Sequence, residues 1–240
     1  MNTKIKAQWL GHSAFRIESP DGKVILLDPF LTHNPKTPSP YNSVDGIGHV
    51  DYIFLTHGHE DHTGDTLEIA SATGCKVLGI VELSGLLKTK GLKEDQALEL
   101  NKGGSLTVDD VTVYLTNANH SASFGGQYAG DPAGLVLDFH NDLTLYHMGD
   151  TNISWDFALY QRLYNPDVVF APMGDFYTMG PREAAMCMEM LKPQYAVPIH
   201  YGTFPPLTGT PEEFEKHVSE FCGNATKVIT PQPGDEFLQT

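Results

Sequence analysis

Apolar and polar positions change their period several times along this chain, and the changes divide it into short elements. Lys4–Leu10, Ala14–Glu18 and Lys23–Asp28 alternate or run apolar, with Pro20-Asp21-Gly22 as a turn signal, which predicts three strands. Residues 31–50 carry Pro35, Pro38, Pro40, Gly46 and Gly48 and read as a loop. Tyr52-Ile53-Phe54-Leu55 is short, aromatic and β-branched, as in a buried strand. Thr63–Thr73 and Glu82–Lys90 fit helices around a strand over Lys76–Ile80. Ala97–Leu100 and Ser105–Thr116 read as strands, the second turning at Asp109-Asp110. Ala133–Phe139 and Leu143–His147 form a predicted hairpin around Asn141-Asp142. Ile153–Leu163 has a helical pattern, and Val168–Ala171 reads as a strand. Pro181–Leu191 and Pro211–Phe221 both open with proline, suited to a first helical turn, and Thr210 is a cap for the second. Short strands over Val228–Thr230 and Glu236–Gln239 close the pattern. Trp9 and Trp155 are assigned to the core. Strands followed by helices occur in both halves, an order that permits two sheets face to face with helices outside. No repeat or linker interrupts it, so one domain over residues 1–240 is expected.

The buried strand at Tyr52–Leu55 runs directly into Thr56-His57-Gly58-His59-Glu60-Asp61-His62-Thr63-Gly64. Three histidines and an aspartate thus fall within six positions at a strand end. Imidazole and carboxylate are ligands that zinc and similar divalent metals take. His57 and His59, two apart, project to one side of an extended segment, while Asp61 and His62 turn away with the chain. One segment can therefore serve two neighbouring metal positions. Neither pair suffices alone, because a catalytic zinc takes three protein groups and keeps one position open. A polar turn is the plain alternative, and four metal-competent side chains in six residues argue against it.

The HxHxDH run resembles the signature of the metallo-β-lactamase-fold hydrolases. That superfamily adds a later His, an Asp and a final His at strand ends, and this chain offers His120, Asp150 and His200 in that order. The details are similar to the L-ascorbate-6-phosphate lactonase-like and uncharacterised metal-dependent hydrolase branch. They are Trp9-Leu10-Gly11-His12-Ser13-Ala14-Phe15, Asp28-Pro29-Phe30-Leu31, Asn119-His120-Ser121, residues 173–181 and His200-Tyr201-Gly202-Thr203-Phe204-Pro205. The resemblance implies an α/β fold: an αββα sandwich of two mixed β-sheets flanked by helices, with metals at one edge. It implies that His57, His59 and His120 hold one metal, that Asp61, His62 and His200 hold a second, and that Asp150 bridges them. A hydroxide shared by two divalent ions would then attack a carbonyl or phosphoryl centre, with Asp61 and Asp150 orienting the nucleophile and accepting protons. The imidazole of His59 favours zinc over iron, and manganese also suits nitrogen and oxygen donors. The expected substrate is a small ester, first a lactone or sugar-phosphate lactone, second a phosphodiester. The branch of mononuclear-iron persulfide dioxygenases is the other reading; it would leave the second site empty, which the full ligand set opposes. A non-enzymatic metal-binding protein on the same fold is a third.

Composition narrows the partners. The formal charge is −15, which disfavours nucleic acid and anionic membranes. No apolar run approaches the roughly 20 residues of a membrane span, and the N-terminus lacks a signal core, so a cytoplasmic location is expected. Cys75, Cys187 and Cys222 form no disulfide framework. Arg16, Arg162 and Arg182 are the only arginines, which leaves a substrate anion few docking places besides the metals. Homo-oligomerisation is left open. His12 is a candidate to polarise substrate or protonate a leaving group, or else a structural histidine bonded to a loop. Asp28 either braces a metal-bound histidine or caps a loop. Tyr177, Thr178, Arg182 and Tyr201 are candidates for the pocket, Tyr201 as an oxyanion partner. His33, His49, His140, His147 and His217 are assigned to surface or core.

Overall fold

The computed structural model describes residues 3–238. Its strands are β1 (Lys6–Gly11), β2 (Ala14–Glu18), β3 (Val24–Leu27), β4 (Tyr52–Phe54), β5 (Lys76–Ile80), β6 (Ala97–Leu100), β7 (Ser105–Val108), β8 (Val111–Asn117), β9 (Ser123–Phe124), β10 (Gln127–Tyr128), β11 (Ala133–Asp138), β12 (Thr144–His147), β13 (Val168–Pro172), β14 (Tyr195–Ile199) and β15 (Lys227–Val228). The α-helices are α1 (Val44–Ile47), α2 (Glu60–Thr63), α3 (Thr66–Thr73), α4 (Val81–Thr89), α5 (Asp156–Tyr164), α6 (Pro181–Leu191) and α7 (Pro211–Cys222). One sheet runs β1-β2-β3-β4-β5-β6, antiparallel over its first three strands and parallel thereafter. The other runs β15-β14-β13-β12-β11-β8-β7, parallel from β15 to β12 and antiparallel beyond.

Alternation along the strands decides what each residue faces. Phe15, Ile17, Ile25, Leu27 and Phe54 of the first sheet meet Leu135, Leu137, Val168, Phe170 and Val197 of the second. Phe15 and Phe170 stack with centroids 4.1 Å apart. The alternate residues point outward: Leu26, Ile53 and Val77 cover Ile69, Leu83 and Leu87 of α3 and α4. Tyr146, Val169 and Ala196 cover Phe157, Ala184, Met188 and Phe214 of α5, α6 and α7. Central strands buried on both faces are apolar throughout, as β3 and β13 are. Two mixed sheets with helices on both outer faces are the expected αββα sandwich.

Several predicted bounds shift. The single helix expected over Thr63–Thr73 is two, because Gly64 adopts φ 26° and Asp65 turns back to accept from the Leu31 and Thr32 amides. The loop over 31–50 holds the one-turn α1, capped by Ser43. The helix expected from Ile153 begins at Asp156, and Trp155 is not core: it is 83% exposed ahead of that helix. At the end, Glu236 makes only an isolated bridge to Gln8, and Gln239 lies outside the described residues. That segment still bonds along β1, through Gly234 N to Trp9 O and Phe237 N to Ala7 O, and so covers an open sheet edge. The hairpin β9–β10 was not expected; its strands are two residues each, too short for alternation to show.

Candidate metal centre

Five turns bring the predicted donors and His12 to one edge of the sandwich. His12 follows β1, His57 follows β4, His120 follows β8, Asp150 follows β12 and His200 follows β14. The β1–β2 register shifts between Trp9 and Gly11, and Gly11 and His12 then take φ 99° and 54°. Asp28 and His200 also sit at positive φ, 43° and 56°, so three strands end in an abrupt left-handed turn. Such strained non-glycine positions persist only where their surroundings hold them. For His12 these are its own carbonyl, which accepts from Trp9 Nε1 at 3.1 Å and from His200 N at 3.1 Å. Two glycines let the loops close. A Cβ on Gly58 would lie 2.6 Å from that of Ala129, and one on Gly174 only 1.9 Å from the His200 carbonyl oxygen.

All seven predicted donors converge. His57, His59 and His120 each offer a donor atom within 4.8 Å of the others, as do His57, His62 and Asp150. His57 Nε2 and His59 Nδ1 are 2.9 Å apart. Asp150 lies in the middle: Oδ2 is 3.1 Å from His200 Nε2, 3.5 Å from His120 Nε2 and 4.0 Å from His57 Nε2, while Oδ1 is 3.3 Å from His62 Nε2. His12, Asp61, His62 and His200 make a third such group. His12, His57 and His62 are fully buried, whereas His59, Asp61 and His120 are partly exposed and form the side open to solvent.

The ring orientations are set from behind. Asp28 is fully buried and accepts from Thr56 N at 2.8 Å and Thr56 Oγ1 at 2.7 Å. His62 Nδ1 is 2.7 Å from the same carboxylate, which leaves His62 Nε2 turned to the centre. A carboxylate behind an imidazole is the usual support of a metal-binding histidine, and Asp28 gives His62 that support while also holding the loop at Thr56 N. His147, which had no pattern partner, is buried and ties two site loops: it bonds Ser13 O at 2.9 Å and accepts from Gly149 N at 3.0 Å.

Burial opposes charge on each group, and the neighbours decide the balance. Burial first, then His62, holds His57 well below the ordinary histidine value. Burial likewise lowers His59 and His120, and with His200 it lowers His12 to about 4. Against burial, Asp150 lifts His200 to about 9, and Asp150, Asp28 and Asp61 lift His62 well above its ordinary value. Asp150 and Asp61, also against burial, are held below the carboxylate range by those imidazoles. Positive charge is thus wanted between two carboxylates and their histidines. His62 Nε2, Asp150 Oδ1 and both ring nitrogens of His200 are buried without a hydrogen-bond partner. Inward-turned donors of this kind fit divalent cations.

The predicted pocket residues lie differently. Tyr201 is half-buried, stacked on Trp9 at 5.5 Å, and burial pushes its phenol up to about 12. Tyr177 is exposed beside Phe176. Arg182 is exposed with its guanidinium 5.9 Å from the Phe221 ring centre, in a groove of about 490 Å³ that Thr178, Asp175, Glu183 and Glu213 also line. His33, His49 and His140 are exposed.

A sequence model of the Beta-lactamase superfamily domain matches residues 6–200. A UPF0173 metal-dependent hydrolase of Herpetosiphon aurantiacus is 42% identical over 233 residues, covering 95% of each chain. Among solved structures, Igni18, a metallo hydrolase of the archaeon Ignicoccus hospitalis, superposes with a TM-score of 0.86 at 34% identity over 97% of each chain. An isothiocyanate hydrolase from Delia radicum gut bacteria, at 22% identity and a TM-score of 0.76 over 98% of this chain and 99% of its own, shares the fold.

Proposed function

This chain belongs to the Beta-lactamase superfamily and is a metal-dependent hydrolase, and from that premise we propose that it cleaves a small anionic ester with a dinuclear centre. The observation that carries the reading is the convergence of seven donors from both sheets around the unpaired atoms of His62, Asp150 and His200. His57, His59 and His120 would hold one cation, Asp61, His62 and His200 the other, with Asp150 between. Bound there, divalent cations would supply acidification of water near neutral pH and polarisation of a carbonyl or phosphoryl oxygen. The chain's own groups do the rest. Asp28 and Thr56 fix the His62 ring. Asp61, the partly exposed carboxylate, turns Oδ2 toward His12, His62 and His200 and would orient the nucleophile from the open side.

A donor set dominated by imidazole supports zinc, and manganese suits the same atoms. A lactone or sugar-phosphate lactone is the first substrate class and a phosphodiester the second. Tyr177, Arg182 and Tyr201 are the proposed contacts beyond the metals, and location in the cytoplasm accords with the reduced thiols of Cys75, Cys187 and Cys222.

Metal analysis and a chelator-controlled hydrolysis screen test this. The purified protein should carry close to two divalent ions. Chelation should abolish turnover of lactones, and zinc or manganese should restore it. Arg182→Ala should raise KM for a phosphorylated lactone more than for a neutral one. One equivalent of iron, with oxygen uptake on a persulfide, would replace the hydrolase reading with an oxidoreductase.

A further inference from the structure

We infer that His12 is a fourth protein donor at the second metal position, beside Asp61, His62 and His200. The inference rests on the dinuclear reading and deepens it.

Two observations about the His12 ring carry it. Thr203 Oγ1 lies 2.9 Å from His12 Nδ1 and holds the ring from behind. With Nδ1 held there, a neutral ring can present the Nε2 lone pair to a cation. His12 Nε2 points at Asp61 Oδ2, 3.1 Å away. A fully buried imidazole nitrogen and a carboxylate oxygen of the partly exposed Asp61 thus converge on one point, an arrangement that a cation between them would hold.

The spacing brackets that of a coordination shell. Zinc bonds of about 2.0–2.2 Å to nitrogen and oxygen place neighbouring donors of a tetrahedron about 3.3–3.6 Å apart. From Asp61 Oδ2 the distances are 3.1 Å to His12 Nε2, 3.6 Å to His200 Nε2 and 3.8 Å to His62 Nε2. The left-handed turn at His12 and the bond from His200 N to its carbonyl fix this ring against its neighbour in the set. A histidine with no exposed surface, braced on its far nitrogen, is built like His57 and His62.

The two positions are then unequal. Counting Asp150 with each, the first has four protein donors and the second five, so the first is the less crowded. Filled donor sets hold a metal structurally, and open ones exchange a ligand. The second position should therefore bind first and more tightly, and the exchangeable place should belong to the cation at His57, His59 and His120.

Cobalt titration of the full-length, chelator-stripped protein tests this, read by visible d–d absorption and by calorimetry. Wild type should take two equivalents of unequal affinity. His12→Ala should weaken the tighter one at least tenfold and alter its absorption, leaving the weaker unchanged. Thr203→Val keeps the ring but removes its brace, and should weaken the same equivalent by about 10–100-fold, the usual effect of losing such a partner. If His12→Ala fails to fold, Thr203→Val decides. Wild-type affinities and spectra in Thr203→Val, and in His12→Ala wherever it folds, would overturn the inference and return His12 to proton transfer or packing. A wild type that takes no cobalt would instead defeat the dinuclear reading itself.

Discussion

Asp28 shows how much one side chain behind the donors carries. It is fully buried and satisfies Thr56 twice and His62 once. Asp28→Ala leaves those groups unpaired, and breaking a buried charged pair costs about 3–5 kcal/mol. Denaturant unfolding of the chelated protein should show that loss, and metal affinity should fall about 10–100-fold. The histidines predict a pH profile for the same chelated protein. His12, His57, His59, His120 and His147 have lowered values, so their contribution is present above about pH 6.5 and is lost on acidification, as the unfolded chain takes protons the folded one refuses. His62 and His200 have raised values, so theirs is fully present below about pH 6.5 and is lost as pH rises, for His200 through about 9. Stability measured by denaturation from pH 5 to 9 should peak near 6.5; a monotonic profile would contradict these environments. The donors themselves were legible because four of them are sequence neighbours after an apolar strand. Their bracing was not: that Asp28 meets His62, or Thr203 meets His12, depends on which loops the two sheets bring together, and no local pattern encodes it.

Elements were legible where periodicity runs long enough to be read. β3, β13, α6 and α7 stand close to where hydrophobic period and proline starts put them. The reading failed where one tertiary bond overrides the local pattern, as at Gly64-Asp65, and where a strand is too short to alternate, as in β9–β10. Trp155 misled because an apolar residue at the head of a helical pattern reads as core, whereas here it precedes the first turn of α5 and faces solvent. The connection between β13 and α6 matters most for the site. Gly174 lies so close to the His200 turn that an added Cβ meets backbone, not a side chain able to rotate away. Gly174→Ala should destabilise the fold by about 1–3 kcal/mol, the range for overpacking, and should weaken the metal position that includes His200. Melting curves together with metal counts would show both; a loss of stability with full metal content would confine the effect to packing.

Across the whole molecule the charge is −15, and the few arginines are spread apart at 16, 162 and 182. Without a basic stripe, no appreciable RNA or DNA binding should be seen by filter retention at physiological salt; tight, salt-sensitive binding would point to a polymeric substrate. Among the described residues no helix is long and apolar enough to cross a membrane. The centre draws on both layers of the sandwich: His57, His59, Asp61 and His62 extend from the first sheet, and His120, Asp150 and His200 from the second. Ions held there act as rivets across a seam. Removing them should let that rim breathe while the opposite rim stays shut, so amides at 56–62, 148–151 and 198–200 should exchange faster after chelation. A ligand at about 1,000 times its dissociation constant adds about 4.1 kcal/mol to a folded state. The lifetime of this protein against proteolysis would then rise and fall with the supply of metal around it, whatever substrate is present.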